Sequence, residues 1–288
     1  MSNLIPSIRD ALNEAGISPR KILSQNFLIN NDILNRQIEY AQITANETVL
    51  EIGGGTGILT EILAKHSKKV FCIEYDRELA SYLRKKFSNQ KKVEIIEGDV
   101  LKINLPKTDK IVANLPYHIS SPITFKLLEI GFKTAVLMYQ LEFAKRMIAE
   151  PKSDDYSRLS VNLQLQAEVE ILEKISRNNF YPPPKVDSAI VKITPKNLDF
   201  PFDVKNFRVV TRILFNTKNK IVSSIFYEFL KRDIDKDERF TFKKELDASL
   251  THANSRVREL VIDDFIVITQ ELVSFLEKKG LLSLFPDK

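Results

Sequence analysis

The chain has no tryptophan, one cysteine and three histidines among its 288 residues. A single cysteine excludes an intrachain disulfide and suits a reducing compartment; Cys72, inside Val70-Phe71-Cys72-Ile73, has the setting of a buried packing residue. None of the histidines stands at a ligand spacing with Cys72 or with a pair of acids, so no metal site is expected. No apolar run is long enough to span a bilayer, and Met1-Ser2-Asn3-Leu4 lacks the form of a signal peptide. A cytoplasmic protein with no membrane partner is therefore expected. Internal repeats and low-complexity tracts are also missing.

A chain of this length is too long for one typical core, so a large domain plus a smaller one is the natural arrangement. The formal charge of +5 and a pI near 9.0 are mildly basic, compatible with nucleic acid without demonstrating it. Local clustering says more. Arg208, Arg212, Lys218 and Lys220 fall within one expected helix, interleaved with Val209, Ile213, Leu214 and Phe215, and Arg256 with Arg258 forms a smaller cluster. A solvated basic helix face accounts for these residues as well as an RNA contact does.

Along the chain, the first 20 residues read as a short helix and a flexible lead. An amphipathic segment from Asp32 to Ala41 follows, with Ile33, Leu34 and Ile38 on one side. Strands are then expected at 49–52, 70–74, 93–96, 111–113 and 135–139, separated by helices at 58–65, 78–87 and 122–130, the last opened by Ser121 as N-cap. Such alternation specifies a parallel sheet covered by helices on both faces. Two further strands, at 169–172 and 189–193, flank the loop Asn179-Phe180-Tyr181-Pro182-Pro183-Pro184. From about Pro195 a polar stretch leads into a segment that is helical throughout. The domains are accordingly placed at 21–196 and 197–288.

Two strand ends carry the chemistry. Asn114-Leu115-Pro116-Tyr117 follows the apolar run Ile111-Val112-Ala113, a buried strand ending in a rigid loop. That is where an open α/β sheet places its ligands. The tetrapeptide offers an amide, carbonyls stiffened by proline and an aromatic face, a set suited to gripping a flat base through its exocyclic amine. Upstream, Glu51-Ile52-Gly53-Gly54-Gly55-Thr56-Gly57 also joins a strand to a helix, with glycines that let the backbone approach a ligand closely. Glu74 lies 21 residues after Gly53, the place of an acid that grips a ribose diol. These two features alone leave a dinucleotide enzyme open.

The compact glycine loop lacks the regular spacing of a pyrophosphate cradle, and a third strand ends in Glu97-Gly98-Asp99-Val100. Glycine loop, ribose acid and a second acid for an adenine amine, on successive strand ends, fit the cationic, phosphate-free nucleoside S-adenosyl-L-methionine.

With these motifs the chain resembles the small-subunit ribosomal RNA adenine dimethyltransferases, the KsgA-type enzymes. The resemblance rests on Gln25-Asn26-Phe27-Leu28, the 51–57 loop, Ile73-Glu74-Tyr75-Asp76, Gly98-Asp99, Asn114-Leu115-Pro116-Tyr117 and the segment from Phe180 to Ser188, in the family's order and spacing. It implies a Rossmann-like class I methyltransferase sheet followed by a smaller all-helical domain that binds RNA and the ribosomal small subunit. It further implies a monomeric enzyme that dimethylates the N6 amine of adenines in small-subunit rRNA during ribosome biogenesis. Carried onto this sequence, Asn26 and Leu28 close over the cofactor, Gly53 and Gly55 approach its methionine part, Glu74 holds the ribose, and Asp99 with Val100 holds the adenine. Asn114 sits between cofactor and base, and Tyr117 stacks on the base. Phe180 is the candidate for its other face, with a core phenylalanine under a proline-rich loop as the plainer reading. Gly54 departs from the proline of many relatives and is expected to loosen the loop slightly.

Alternatives remain within the same fold. An Erm-type enzyme acting on large-subunit rRNA shares the N-terminal motif and a similar tetrapeptide; Leu115, the extended 180–188 motif and the long helical tail favour the small subunit. A DNA adenine methyltransferase carries proline where this chain has Leu115. A non-catalytic assembly or transcription factor would not need Asn114, Glu74 and Asp99 together. The Arg256-Val257-Arg258-Glu259-Leu260 segment and the short tail look more archaeal than bacterial.

Overall fold

The computed structural model describes residues 4–17, 25–196, 200 and 202–285. Residues 21–24, before the Gln25–Leu28 motif, and residue 197, where the second domain is expected to begin, lie outside the described residues. The chain forms two compact units, residues 1–145 with 167–196, and residues 146–166 with 197–288.

The first unit opens with α1 (Ile5–Glu14), β1 (Phe27–Leu28) and α2 (Asn31–Ala41). Then come β2 (Thr48–Ile52), α3 (Ile58–His66), β3 (Lys69–Glu74), α4 (Arg77–Lys86) and β4 (Val93–Glu97). β5 (Lys110–Asn114), α5 (Ser120–Ile130), β6 (Thr134–Gln140) and α6 (Leu141–Met147) follow. Expected alternation and observed elements agree here because the strands are largely apolar and two of the helices start on a polar cap: Asn30 accepts from Asp32 N, and Asp76 from Glu78 N and Leu79 N.

After the second unit contributes α7 (Arg158–Gln166), the chain returns as β7 (Ala167–Ile175), β8 (Phe180–Tyr181) and β9 (Ser188–Pro195). The seven-stranded sheet has the order β4-β3-β2-β5-β6-β9-β7. β2 through β6 pair in parallel, whereas β9 runs antiparallel to both β6 and β7. The strand order reverses at β2, between β3 and β5, and a ligand crevice belongs at the carboxyl ends flanking that reversal.

Three expectations need correction. The N-terminal stretch is not only a flexible lead: α1 is a packed helix whose Ile8 and Leu12 are buried in a cluster with Leu79. Ser121 is not an N-cap, because a 3-10 turn over Tyr117–Ile119 runs directly into α5, with the Ser120 hydroxyl donating to Tyr117 O. Pro122 is tolerated inside the first turn because its missing N–H has no acceptor to lose there. The division at 196/197 also differs from the observed one, because residues 146–166 pack with the helical unit. Tyr156, Val161 and Leu165 share a core with Phe207, Phe226 and Phe265.

The rest of that second unit comprises α8 (Val204–Phe215), α9 (Val222–Leu230), α10 (Arg239–Ser249) and α11 (Ile262–Lys278). Its core includes a stacked Phe215–Phe265 pair at 5.6 Å, and the Tyr156 hydroxyl donates to Leu260 O at 2.8 Å. Asn162 Nδ2 on α7 donates to Thr211 Oγ1 on α8 at 2.8 Å, fixing the two helices to each other.

Candidate active site

The carboxyl ends of β2, β3, β4 and β5 open into a cavity of about 400 Å³, within the usual range for small-molecule sites. The glycine loop after β2 forms its floor. Gly53, Gly55 and Gly57 have φ of +80°, +54° and +75°, the left-handed region that glycine enters without strain. A Cβ on Gly55 would stand 3.2 Å from the ring of Phe27, so the loop and the N-terminal motif close on each other because that position has no side chain. Gly54 is glycine for a different reason. A Cβ there would collide with Cys72 Sγ and come within 2.8 Å of Leu83 Cδ1. What the structure shows at Gly54 is close packing: the thiol of β3 occupies the space that a side chain there would need.

Glu74 ends β3 nearly buried, with both carboxylate oxygens already engaged. Gly55 N donates to Oε2 at 2.8 Å and Asp76 N to Oε1 at 2.9 Å. Burial raises its pKa, opposed by these backbone donors. Each oxygen retains a second lone pair, and the residue lines the cavity. Asp99 serves two ends as well. Its Oδ1 accepts from Leu101 N at 2.9 Å, which is the work of a turn former, while Oδ2 lies 3.6 Å from Lys102 Nζ and the residue borders the cavity beside Val100.

At the end of β5, Asn114 Oδ1 accepts from Gln37 Nε2 at 2.9 Å. The Leu115 side chain is buried, so its carbonyl is the polar group it can offer. Tyr117 shares a 2.7 Å hydrogen bond between its hydroxyl and Ser188 Oγ, and burial raises its pKa, so the phenol is neutral. Phe180 reaches the same cavity from 66 residues further along the chain. Its position follows from β1 pairing antiparallel with β8, Leu28 opposite Phe180 and Phe27 opposite Tyr181. Ile29 N donates to Asn179 O at 2.8 Å, extending that small ladder. Phe180 is 4% exposed and belongs to the core cluster, as the plainer reading of it has it, and it also borders the cavity.

The structure therefore brings Asn26, Leu28, Gly53, Gly55, Glu74, Asp99, Val100, Asn114, Leu115, Pro116, Tyr117 and Phe180 around one cavity. Arg208, Arg212, Lys218 and Lys220 belong to the other unit but not to the one helix expected, since α8 ends at Phe215 and the two lysines lie in the turn beyond it. There Arg208 donates to Gln166 Oε1 at 3.4 Å, and Lys218 Nζ donates to Asp154 O and Tyr156 O at 2.9 and 3.2 Å. Arg256 and Arg258 likewise donate to the carbonyls of Asn219 and Lys152. Much of this basic cluster thus holds its own backbone, whereas Lys220 is exposed. Among the described residues no group of His, Cys, Asp and Glu could hold a metal, and no helix is long and apolar enough to cross a membrane.

Sequence reasoning missed three neighbours of the site. Glu51 lines the cavity from inside β2; burial pushes its carboxyl up to about 8, against hydrogen bonds with Thr60 and Cys72. An acid within Val49-Leu50-Glu51-Ile52 was the available signal. Tyr75, 63% exposed, lines the wall beside Glu74; it stood within the Ile73–Asp76 motif but was given no role. Gln37 stands on the apolar face of α2, where a polar residue is out of place.

The donor set suits a cationic nucleoside. Acids stand at two strand ends, backbone approaches freely at Gly53 and Gly55, and among the described residues that line the cavity there is no lysine or arginine to greet a phosphate.

The chain matches the family described as ribosomal RNA adenine dimethylase over residues 17–265. It is 42% identical to a "probable ribosomal RNA small subunit methyltransferase A" of the archaeon Thermococcus sibiricus, covering 94% of this chain and 97% of that protein. The counterpart of the same description in Pyrococcus furiosus is also 42% identical, with the same coverage. Among solved structures, a dimethyladenosine transferase from Plasmodium falciparum superposes with a TM-score of 0.74 at 35% identity, covering 88% of this chain and 98% of that one. The 23S rRNA methyltransferase ErmE gives 0.62 at 28% identity, covering 86% and 99%. These relatives include archaeal proteins, in keeping with the archaeal look of the tail. A family match over residues 17–265, with relatives 42% identical over most of the chain, means that this protein belongs to the ribosomal RNA adenine dimethylase family.

Proposed function

We propose that this protein transfers methyl groups from S-adenosyl-L-methionine to the N6 amine of adenines in small-subunit rRNA, twice per base. The observation that carries the reading is the convergence of Asn114, the Leu115 carbonyl, Tyr117 and Phe180 on the cavity that Glu74 and Asp99 border. Glu74 would hold the ribose hydroxyls and Asp99 the adenine amine of the cofactor, with Leu28 and Val100 as apolar cover. Bound S-adenosyl-L-methionine supplies an electrophilic methyl group on a positively charged sulfur.

The chain's own residues must then make a poor nucleophile competent. The lone pair of adenine N6 is delocalised into the ring. Asn114 Oδ1 and the Leu115 carbonyl each accept one amine hydrogen, which draws the nitrogen toward tetrahedral geometry and localises its lone pair. Pro116 stiffens the backbone that aims the Leu115 carbonyl. The C–S bond breaks as the N–C bond forms, and the methylated nitrogen, cationic at first, sheds one proton to solvent at each transfer; no residue need act as a strong base or form a covalent bond, so catalysis is orientation and electrostatics. Tyr117, tethered by Ser188, faces one side of the base and Phe180 the other. Stacking on an aromatic side chain is worth about 1–3 kcal/mol per base, comparable with the few kcal/mol that unstacking the target base costs.

Choice of the small subunit is supported by the relatives' descriptions and by the higher similarity to the dimethyladenosine transferase than to ErmE. Exposed basic groups such as Lys220 would meet phosphates of a structured RNA, read by shape more than by sequence. The test is transfer of labelled methyl groups from S-adenosyl-L-methionine to small subunits lacking adenine dimethylation, with large subunits and naked DNA as controls. Dimethyladenosine on small subunits alone is the expected product. Label on large subunits would favour the Erm-type activity, and binding without transfer would favour an assembly factor.

A further inference from the structure

Helix α2 sets Ile33, Gln37 and Ala41 one turn apart on its buried face. Gln37 is 0% exposed, and its Nε2 donates to Asn114 Oδ1 at 2.9 Å. Its own Oε1 is equally dry and has no hydrogen-bond partner among the described residues. A side chain serving only to pack would not leave a carbonyl oxygen in that state. Methionine or leucine fills a similar volume with no polar atom to desolvate. The amide of Gln37 is therefore tied to what it does for Asn114.

The helix itself is fixed on either side of Gln37. One residue earlier, Arg36 makes a forked pair with Glu173 on β7, Nε to Oε2 at 2.8 Å and Nη2 to Oε1 at 2.7 Å. At the C-terminus, Lys110 Nζ donates to Ala41 O at 2.9 Å. Gln37 is thus delivered to Asn114 from a helix anchored at two points, one on β7 and one at the start of the strand that ends in Asn114.

We propose that Gln37 is a positioning residue for methyl transfer: by donating to Asn114 Oδ1 it fixes which end of that amide accepts, and leaves the oxygen's remaining lone pair for the adenine amine. This rests on the amine-gripping role given to Asn114 above. Without the donor, the Asn114 amide is free to rotate, and half of its orientations present hydrogens to an amine that needs acceptors.

The decisive variant is Gln37→Glu, assayed at alkaline pH so that the carboxyl is ionised. A carboxylate of the same shape accepts from Asn114 Nδ2 and turns Oδ1 away. Full-length Q37E is expected to lose about 100-fold in kcat on small subunits, the scale of a misaligned catalytic group. Its KM for S-adenosyl-L-methionine and for the subunit should stay within about threefold of wild type, as for a contact that matters only in the transition state. Q37M, which fills the space without donating, should lose about tenfold in kcat at unchanged KM, with less effect than Q37E although it differs more in chemistry from glutamine. Thermal melting of all three proteins separates this from a folding defect, and if Q37E does not fold, the kcat of Q37M at unchanged KM decides. Wild-type kcat in the folded variants, or losses that follow only the melting temperature, would overturn the positioning role alone. An inactive wild type would overturn the functional reading and this inference with it.

Discussion

Asn114 and Glu74 end β5 and β3, the two strands that flank β2, yet their neighbours give them separable roles. Asn114→Ala removes the acceptor that would hold the adenine amine while leaving the glycine loop and both acids in place. It should abolish labelled-methyl transfer and keep cofactor affinity within about tenfold; unchanged activity would remove Asn114 from the chemistry. Glu74→Ala should instead weaken equilibrium binding of S-adenosyl-L-methionine, because Gly55 N and Asp76 N lose their shared acceptor together with the ribose partner. Glu51, one strand over, makes a different prediction. Its folded pKa is raised by burial to about 8, so the folded protein holds a proton that the unfolded chain releases at ordinary carboxyl values. Its contribution to stability is fully present at acid pH and is lost as pH rises toward 8. Glu51→Gln, which stays neutral, should flatten the fall in melting temperature across that window relative to wild type. Parallel pH profiles for the two proteins would show that Glu51 is ionised in the folded state.

Between elements, the sharpest constraint is the one that puts glycine at 54. The loop after β2 lies against Cys72 of β3 and Leu83 of α4, so Gly54→Ala forces a shift of either the loop or the strand. Overpacking of this kind costs about 1–3 kcal/mol. Because the closer of the two collisions is with Cys72 Sγ, Cys72→Ala should relieve part of it, giving a coupling of about 0.5–3 kcal/mol in a double-mutant cycle followed by chemical denaturation. Additive losses would place the strain elsewhere. This pairing also marks how far sequence alone reaches. The strands of the sheet were legible because runs such as Val49–Ile52 and Ile111–Ala113 are apolar and bounded by turn residues. The cavity was legible because its residues end those strands. The β1–β8 ladder was not, since two-residue strands carry no periodicity, and so the path by which Phe180 joins the site was hidden. α7 was invisible for the opposite reason: Leu159, Ser160, Val161, Asn162, Leu163 and Leu165 are all buried, leaving no polar face to reveal a helical period. Gln37 could have been found, as the one amide on the buried stripe of α2.

For the whole molecule, the grouping of residues 146–166 with the helical unit decides what can fold alone. A fragment ending at Lys196 looks from sequence like a complete catalytic domain. It would retain every residue around the cavity, yet it would also retain Tyr156, Val161 and Leu165 without Phe207, Phe226 and Phe265, the core they share in the full chain. Each such side chain returned to water costs roughly 1.5–3 kcal/mol, and the Tyr156 hydroxyl would lose its acceptor at Leu260. Three residues of this kind amount to a large part of the 5–15 kcal/mol that typically separates folded from unfolded domains. The 1–196 fragment is therefore expected to bind a hydrophobic dye and to aggregate at concentrations where the full chain stays soluble. A monomeric fragment with a sharp unfolding transition would mean that the 146–166 excursion has its own packing in the first unit. The expected outcome carries a consequence for function. If the catalytic unit cannot shed its excursion, the helical unit is a folding partner of the enzyme as well as a carrier of basic groups. Charge changes there should then be confined to exposed positions such as Lys220. Lys218, whose ammonium holds the carbonyls of Asp154 and Tyr156, would register as a loss of stability before any loss of RNA affinity could be read.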